Sequence, residues 1–552
     1  MAQPNTTVMT TAEAVVRSLI VQGIRELYCV PGVQNDDFFD ALVRVGAPIR
    51  AVHTRHEQAT AYMALGAAQA TGRPQAYCVV PGPGFLNTTA ALSTAYATNA
   101  PVLAVVGQIA DRQIGRGVGL LHEIPDQLAI LRGLTKWADR ITGPDDAAEK
   151  VRTAFRQMLS GAPRPAGLEC PANVWRREGA VAFDESPIAF TAPVRDDVAF
   201  DRAERLIRAA KRPLIIVGSG AQSAGREVTA LAERIEAPVV AWRAGQGVVD
   251  GRHRLSLTVG GGYRLWKDAD LVIGIGTRLQ AAMDWGLDAG IKTIHIEANP
   301  ARVGVTHEPT VALVADTADG VRALLQRLGT RPGSLARRDD EVGAVRAETM
   351  RQAAKLGPQK TWIDAIRASL PEAGILVNEL TQIGYANHLL WPTYKPRTFL
   401  SPGYQGTLGW GYAAALGAKV ARPDVPVVSL NGDGGFMFGV QELATAAHHR
   451  IGVVALVFND GSFGNVKRIQ QQNYGGRTIA VDFTNPDFVK LGESFGVRSC
   501  RVTDPIALRR ELSAAIAADV PALIEVPFRL DDFPNPWDLI LGMPKLRGTS
   551  RS

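Results

Sequence analysis

The stretch that decides the fold is VPVVSLNGDGGFMFGVQELATAAHHRIGVVALVFNDGSFGN, residues 425–465. Its two apolar, β-branched runs predict strands, and the segment between them predicts a helix from about Phe436 to His449. Each strand is followed at once by a polar turn, Gly432-Asp433-Gly434 after the first and Asn459-Asp460-Gly461-Ser462 after the second. A strand, a helix and a second strand in this order are typical of a parallel sheet with a crossover helix.

The same alternation extends outward along the chain. Short apolar runs alternate with alanine-rich segments of helical period; they are PQAYCVV (74–80), APVLAVVGQI (100–109), RPLIIVGSG (212–220), ADLVIGIGT (269–277) and KTIHIEA (292–298). The pattern predicts an α/β protein with three doubly wound parallel-sheet domains. Two aperiodic stretches, 175–200 and 329–357, separate them. The expected domains cover residues 1–180, 195–330 and 358–545.

Composition excludes several classes of protein. The 552 residues are 46% hydrophobic and 21% charged, which fits neither a disordered nor a fibrous chain. The 60 basic and 54 acidic residues are scattered, so a nucleic-acid partner is not expected. No apolar run approaches the ~18 residues of a membrane span, and the four cysteines form no C-x-x-C pair. We therefore expect a soluble, cytoplasmic protein without a membrane partner, in a reducing compartment.

The two polar turns carry the chemistry. Glycines let backbone amides approach a ligand closely, and the helix start after Asp433 suits an anion such as a diphosphate. Asp433 and the Asn459-Asp460 turn both lie at strand ends, so they can meet over one sheet edge. There they offer oxygen ligands to a Mg²⁺ ion bound to the phosphates.

This arrangement resembles the thiamine-diphosphate motif, G-D-G followed after some two dozen residues by N-N. The resemblance extends along nearly the whole chain through RHEQATAYMALGAAQATGRP (55–74), VPGPGFLNTTAALSTAYATNAPVLAVVGQI (80–109), APVVAWRAGQGVVDGRHRLSL (237–257) and GYQGTLGWGYAAALGAKVARP (403–423). The sequence is similar to the acetolactate synthase (acetohydroxyacid synthase) large-subunit-like family. The resemblance implies a pyrimidine-binding domain at 1–180, a central Rossmann-like domain at 195–330 and a diphosphate- and Mg-binding domain at 358–545.

The resemblance implies a role for particular residues. Glu57 corresponds to the glutamate that activates the cofactor through its aminopyrimidine, and Leu408 replaces the methionine that bends it. The implied cofactor-binding residues are Glu57, Gly406, Thr407, Leu408, Gly432, Asp433, Gly434, Gly435, Asp460, Ser462, Phe463 and Gly464. The implied metal ligands are Asp433, Asp460 and the carbonyl of Ser462. A simpler interpretation of Glu57 is an acid favoured by the dipole in the first turn of a helix.

The sequence departs from its relatives where they bind the second oxo acid. Leu121 and His122 replace their phenylalanine and glutamine, Ala172 their lysine and Ile469 their tryptophan. The acceptor pocket is therefore expected to differ. The remaining substrate candidates are Gln34, Asn35, His122, Asn465 and Arg468, and His122 and Gln108 are the catalytic candidates besides Glu57 and Leu408. A neutral His122 imidazole can relay a proton to a developing alkoxide.

The middle of the chain bears on FAD. Arg278 matches the first arginine of the family's flavin segment, but Ala282 replaces the second, and VGGG around Gly260 replaces G-M-x-G. Gly218 and Gly220 form half of a dinucleotide fingerprint, which is more often a tight turn. These departures disfavour FAD, which stays as the alternative cofactor.

The resemblance implies a thiamine-diphosphate- and Mg²⁺-dependent lyase or carboligase. It would decarboxylate a 2-oxo acid such as pyruvate and transfer the acyl anion to a carbonyl acceptor, in a homodimer or homotetramer with sites between subunits. Three alternatives stay open: a lyase or hydrolase of a 2-hydroxy ketone or 1,2-diketone, a flavin-dependent oxidase, and a catalytically silent cofactor-binding protein.

Overall fold

The computed structural model describes residues 6–46, 48–190, 195–329, 336–540 and 543–547. The predicted domain limits at residues 1 and 330 lie outside these ranges. In the described part of the chain, three six-stranded parallel sheets are each flanked by helices, as the sequence predicts. None of the described helices combines the length and the apolar composition that a membrane crossing needs.

The first sheet is built from the amino-terminal third of the chain. Its strand order is β3-β2-β4-β5-β7-β6, and β1 and β8 form a separate antiparallel pair. The strands are β1 (Thr6–Thr10), β2 (Glu26–Cys29), β3 (Arg50–His53), β4 (Gln75–Val79), β5 (Val102–Gln108), β6 (Trp137–Arg140), β7 (Ala166–Pro171) and β8 (Glu178–Ala182). The helices are α1 (Thr11–Val21), α2 (Asp36–Arg44), α3 (Glu57–Thr71), α4 (Pro83–Leu86), α5 (Thr89–Thr98), α6 (Gln127–Leu134), α7 (Pro144–Leu159) and α8 (Ala172–Trp175).

The middle sheet has the order β11-β10-β9-β12-β13-β14. Its strands are β9 (Pro213–Val217), β10 (Val239–Ala241), β11 (Ser256–Leu257), β12 (Leu271–Ile275), β13 (Lys292–Glu297) and β14 (Val311–Val314). Its helices are α9 (Asp197–Ala209), α10 (Gly225–Ile235), α11 (Val259–Trp266), α12 (Ala281–Trp285) and α13 (Thr317–Leu328). This is the doubly wound order of dinucleotide-binding folds, in which the winding reverses between the first and fourth strands, here β9 and β12.

The third sheet has the order β16-β15-β17-β18-β20-β19, which repeats the order of the first. Its strands are β15 (Ile375–Asn378), β16 (Phe399–Leu400), β17 (Val427–Gly432), β18 (Val453–Asn459), β19 (Arg498–Arg501) and β20 (Ala522–Pro527). The helices of this part of the chain are α14 (Asp339–Ala353), α15 (Gly357–Ser369), α16 (Gln382–Leu390), α17 (Gly411–Ala421), α18 (Asp433–Phe436), α19 (Leu443–His449), α20 (Gly464–Asn473), α21 (Phe488–Ser494), α22 (Pro505–Ala518) and α23 (Trp537–Ile540).

Three local expectations are corrected. The single helix predicted from Phe436 to His449 is divided into α18, a 3₁₀ turn at Val440–Glu442 and α19, because Gly439 between them has a non-helical backbone. The stretch 175–200 contains β8, which pairs with β1. The charged stretch 329–357 contains α14, which is tied to the middle sheet by the Arg338 guanidinium on the carbonyl of Pro213.

Helix α3 of the first domain and helix α17 of the third pack against each other with their backbones in contact. A Cβ atom on Gly66 would lie 1.9 Å from the carbonyl oxygen of Ala414, and one on Gly417 would lie 1.9 Å from that of Met63. Both obstacles are backbone atoms, which a rotamer change cannot move aside. The two glycines therefore allow the helices to cross in contact.

We expect Gly66→Ala to destabilise the protein, because its methyl group must push the two helices apart. Overpacking of this kind costs about 1–3 kcal/mol or more. The measurement is the midpoint of urea-induced unfolding followed by circular dichroism. Gly343→Ala is the matched control, since Gly343 lies in α14 with open space around its Cβ position. That control should gain up to about 1 kcal/mol from helix propensity. Equal midpoints for the two variants would contradict the crossing as described.

Candidate functional site

The two polar turns meet at the carboxyl edge of the third sheet. Strands β17 and β18 pair in parallel and end side by side, with Gly432 opposite Phe458. Asp433 follows β17 and is only 2% exposed. Its Oδ2 accepts hydrogen bonds from the Gly461 amide at 2.8 Å and from Nδ2 of Asn485 at 2.6 Å. The turn after β18 is thus fixed on the Asp433 carboxylate.

Two carboxylates share this edge. Burial raises the pKa of Asp433, and burial together with the neighbouring Asp433 charge raises the pKa of Asp460 to about 6. The amide of Ser462 donates to Asp460 Oδ1 at 3.3 Å, so the Ser462 backbone lies at the same place. Two carboxylates that repel each other, one buried and one half-buried, are a suitable donor set for a hard divalent cation.

The glycines around the pair leave no room for side chains. A Cβ on Gly434 would lie 2.8 Å from the ring of Phe463, and one on Gly464 would lie 2.7 Å from Oδ2 of Asp460. A Cβ on Gly435 would lie 2.8 Å from Oε1 of Glu379, which is another carboxylate. The predicted cofactor-binding residues of this edge therefore form one compact group.

The segment 406–409 lies beside this group. Gly406 and Gly409 have φ angles of 60° and 83°, which glycine adopts without strain, and Leu408 between them is half-buried. Thr407 shares a hydrogen bond of 2.7 Å with Thr94 of α5. The amide of Gly409 donates to Oε1 of Glu379. The Leu408 segment is thus held from both the first and the third sheets.

Glu379 is a residue that the sequence interpretation missed. It directly follows β15, is 1% exposed, and its pKa is raised by burial to about 7 while the amides of Gly409 and Gly411 lower it. Strands β15 and β17 lie where the winding of the third sheet reverses, which is where ligands bind in such folds. The available signal was the same as for Asp433, an acidic residue directly after an apolar strand. Asn485 gave no such signal, because it lies in an irregular segment.

Glu57 begins α3, and the loop before it contacts the third sheet. The N-cap is His56, whose Nδ1 accepts from the Gln58 amide at 3.1 Å. The Glu57 carboxylate accepts from Nδ2 of Asn87 at 3.0 Å, and Glu57 is half-buried. The amides of Arg55 and His56 donate to the Glu442 carboxylate, each at 3.1 Å. This geometry fits a first-turn acid and equally a carboxylate offered to a ligand.

Several predicted substrate residues come together in the first domain. Gln34 Oε1 lies 3.2 Å from Nδ1 of His122, and Gln34 Nε2 donates to the carbonyl of Leu121. Asn35 is buried, and its amide donates to the carbonyl of Val79 at 2.8 Å. His122 has a φ of 68°, and its backbone lies against Gly82. Gln34, Asn35 and His122 thus line the reversal point of the first sheet, between β2 and β4.

The side chains of Gln108 and Arg468 bind other partners. Gln108 is buried, with Nε2 donating to Glu169 at 3.1 Å and Oε1 accepting from the Ile109 amide. The Arg468 guanidinium donates to Gln382 and to the carbonyls of Leu530 and Phe533. Asn465 is in the first turn of α20. The roles of these three residues stay predictions.

A cavity of about 400 Å³ lies between the three sheets. Gly218, Gly220, Gly276 and Arg278 line it at the reversal point between β9 and β12. Cβ atoms on Gly218 and Gly220 would lie 2.5 and 2.8 Å from the backbone of Gly276, so these glycines serve backbone packing.

Comparisons with known proteins agree with this geometry. Three descriptions of thiamine pyrophosphate enzyme domains match the chain: the N-terminal TPP binding domain at residues 9–130, the central domain at 200–324 and the C-terminal TPP binding domain at 381–526.

Two relatives of different names match almost the full length. The chain is 32% identical over 535 residues to a probable 2-ketoarginine decarboxylase of Pseudomonas aeruginosa, covering 95% of each chain. It is 30% identical over 553 residues to a probable acetolactate synthase large subunit of Methanocaldococcus jannaschii, covering 94% of this chain and 92% of the relative.

The large subunit of acetolactate synthase isozyme 3 of Escherichia coli is 29% identical, with 92% of each chain covered. The chain therefore belongs to the thiamine pyrophosphate enzyme family and is an acetolactate synthase-like enzyme of the thiamine-diphosphate-dependent transferase and lyase group.

Proposed function

We propose that this enzyme uses thiamine diphosphate and Mg²⁺ to decarboxylate a 2-oxo acid such as pyruvate and to transfer the acyl anion to a carbonyl acceptor. The observation that carries the proposal is the pair of neighbouring carboxylates, buried Asp433 and half-buried Asp460, at the ends of β17 and β18. The chain's similarity both to a 2-ketoarginine decarboxylase and to acetolactate synthases supports a 2-oxo acid as donor.

The residues of the third domain fit a diphosphate and its metal ion. Asp433, Asp460 and the carbonyl of Ser462 would hold Mg²⁺, which neutralises two carboxylates that now repel each other. The glycine turn from Gly432 to Gly435 would receive the diphosphate, and α20 begins beside it at Gly464. When bound, thiamine diphosphate supplies a carbon that stabilises the negative charge left by decarboxylation.

Protein side chains would position the cofactor and exchange a proton with the substrate. The Glu57 carboxyl group would bind the far nitrogen of the aminopyrimidine ring. Leu408 would bend the cofactor, and Glu379 would position Leu408 through the Gly409 amide. His122, oriented by Gln34, would exchange a proton with the substrate oxygen.

The proposal includes a homodimer or homotetramer. Within one chain the Glu57 carboxylate binds Asn87 of its own domain, whereas Asp433 binds Gly461 and Asn485 of the third. A second copy would bring a Glu57 loop to each metal site. A cytoplasmic location completes the proposal, and the free cysteines Cys29, Cys78, Cys170 and Cys500 fit a reducing compartment.

The residues at the acceptor positions favour a second candidate function. Leu121 and Ile469, at the positions where acetolactate synthases bind the acceptor, are 64% and 46% exposed. They build no polar site for a second oxo acid. A lyase or hydrolase of a 2-hydroxy ketone or 1,2-diketone is therefore the alternative, and product analysis separates the two.

A flavin-dependent oxidase is the other alternative, and the cavity between the three sheets is where it would bind FAD. Arg278 lines it, but its guanidinium donates to the carbonyl of Ala97. A yellow purified protein with a flavin absorbance band would support FAD, and a colourless protein would count against the oxidase.

Glu57→Gln should abolish turnover, because an amide cannot share a proton with the aminopyrimidine as a carboxyl group does. We expect a loss of about 100-fold or more in pyruvate consumption with thiamine diphosphate and Mg²⁺, followed by proton NMR. The control is Glu227→Gln, which removes a first-turn glutamate of α10 paired with Arg322. Full activity in Glu57→Gln would overturn the assignment. If wild-type protein leaves pyruvate unchanged, the same assay is run with bulkier 2-oxo acids, diketones and hydroxy ketones.

Asp460→Asn should weaken Mg²⁺ binding about tenfold or more, since it removes one of two charged oxygen ligands. Isothermal titration of Mg²⁺ in the presence of thiamine diphosphate measures the affinity. Asp364→Asn removes the same charge from the exposed surface of α15 and serves as control. Unchanged affinity in Asp460→Asn would show that Asp460 is not a ligand.

Glu379 should make the apoprotein less stable as the pH rises from about 5 to 8. Its folded pKa of about 7 lies above the ordinary value of 4.5, so between these two pH values the folded state keeps a proton that the unfolded state has lost. Ionisation inside the protein therefore costs stability as the pH rises through 7. The thermal unfolding midpoint of Glu379→Gln should fall less over this range than that of the wild type. A parallel fall in both proteins would exclude a buried, protonated Glu379.

A further inference from the structure

Three histidines meet at a contact between the first and third sheets, away from the residues discussed above. His53 ends β3, an edge strand of the first sheet, and His448 and His449 end α19. The ring centroids of all three pairs are 4.7 Å apart. One ring nitrogen from each residue lies within 4.8 Å of the other two.

We propose that His53, His448 and His449 bind a transition-metal ion of the Zn²⁺ class, which fastens the loop before Glu57 to the third domain. Imidazole suits Zn²⁺, Cu²⁺ and Ni²⁺, whereas Mg²⁺ prefers oxygen ligands. The site is therefore chemically distinct from the Asp433 and Asp460 pair. It does not depend on the proposed reaction.

The His449 ring is in a tautomer that can bind metal. Nε2 of His449 lies 3.1 Å from the carbonyl oxygen of His53, which can only accept, so Nε2 carries the hydrogen and Nδ1 has the free lone pair. Burial, with Arg50 and the other two histidines nearby, lowers the pKa of His449 to about 4. Burial, His448 and Arg55 lower the pKa of His53. His53 and His449 therefore need lose no proton at pH 7 to bind an ion.

The spacing requires a small closure of the rings. Zn–N bonds of about 2.0–2.1 Å place the nitrogens of a tetrahedral site about 3.4 Å apart, so each ring moves inward by roughly 1 Å. His448 is exposed and can rotate, and the solvent side leaves the fourth position to water. Arg50 and Arg55 add positive charge that opposes the binding of a cation. The affinity must therefore come from the bonds between the metal and the neutral imidazoles, not from charge attraction.

The position gives the ion a structural effect. His53 lies four residues before Glu57, and the intervening amides of Arg55 and His56 already bind Glu442, which directly precedes α19. The proposed ion joins the same two segments at a second point. Binding should therefore restrict the loop that leads into Glu57 relative to the third domain.

The test uses the full chain after chelation, reloaded with Mg²⁺ and thiamine diphosphate. ZnCl₂ is added, the protein is desalted, and bound zinc is counted by mass spectrometry; the thermal unfolding midpoint is recorded in parallel. We expect about one zinc per chain and a raised midpoint, through binding to the folded state alone. MgCl₂ in place of ZnCl₂ should leave the midpoint unchanged.

Variants locate the ion. His448→Gln and His53→Gln should each lower zinc affinity at least about tenfold. His253→Gln, a histidine on the middle domain beside Glu233, should bind as the wild type does. Asp460→Asn should also retain zinc, which separates this site from the proposed Mg²⁺ site. Zinc retention by both His448→Gln and His53→Gln, or no zinc in the wild type, would overturn the proposal.

Discussion

The contact between α3 and α17 is the constraint on which the rest of the structure depends. Gly66 and Gly417 occupy matching places in the two helices, and each faces the backbone of the other helix. Glu57 begins α3, and the Leu408 segment leads directly into α17. Because the helices cross in backbone contact, these two starting points have a fixed separation and direction. The glycines thus set the distance between Glu57 and Leu408 within one chain.

The identical strand order of the first and third sheets gives each of these two domains a crevice in the same place. In each, winding reverses between the first and third strands of the sheet, so loops diverge there and leave a crevice. The crevice of the first sheet contains Gln34, Asn35 and His122, and that of the third contains Glu379 and Asp433. The two crevices have the same geometry but different side chains: amide and imidazole groups in the first domain and carboxylates in the third.

Local sequence predicted the parts of the site that depend on a single strand end. Asp433 and Asp460 follow strands that are buried except for the last residue, and parallel neighbours must end on the same edge, so the sequence pattern predicted their meeting. Glu379 obeyed the same rule but belongs to β15, a strand of only four residues with no glycine turn after it. Gly439 gave too weak a signal within an alanine-rich segment, and the helix from Phe436 was therefore predicted as continuous.

The sequence by itself determined the α/β class, the strand ends and the polar residues, such as Asp433 and Asp460, in the turns directly after those strands. Strand burial, glycine turns and acidic residues are local properties, and their spacing survives in the folded chain. Only the tertiary structure decided that Thr94 holds Thr407, that Asn485 holds Asp433, and that His53 meets His448 and His449. These partners lie from 52 to 396 residues apart along the chain. Their contact follows from how the sheets pack on one another, which no local pattern of residues encodes.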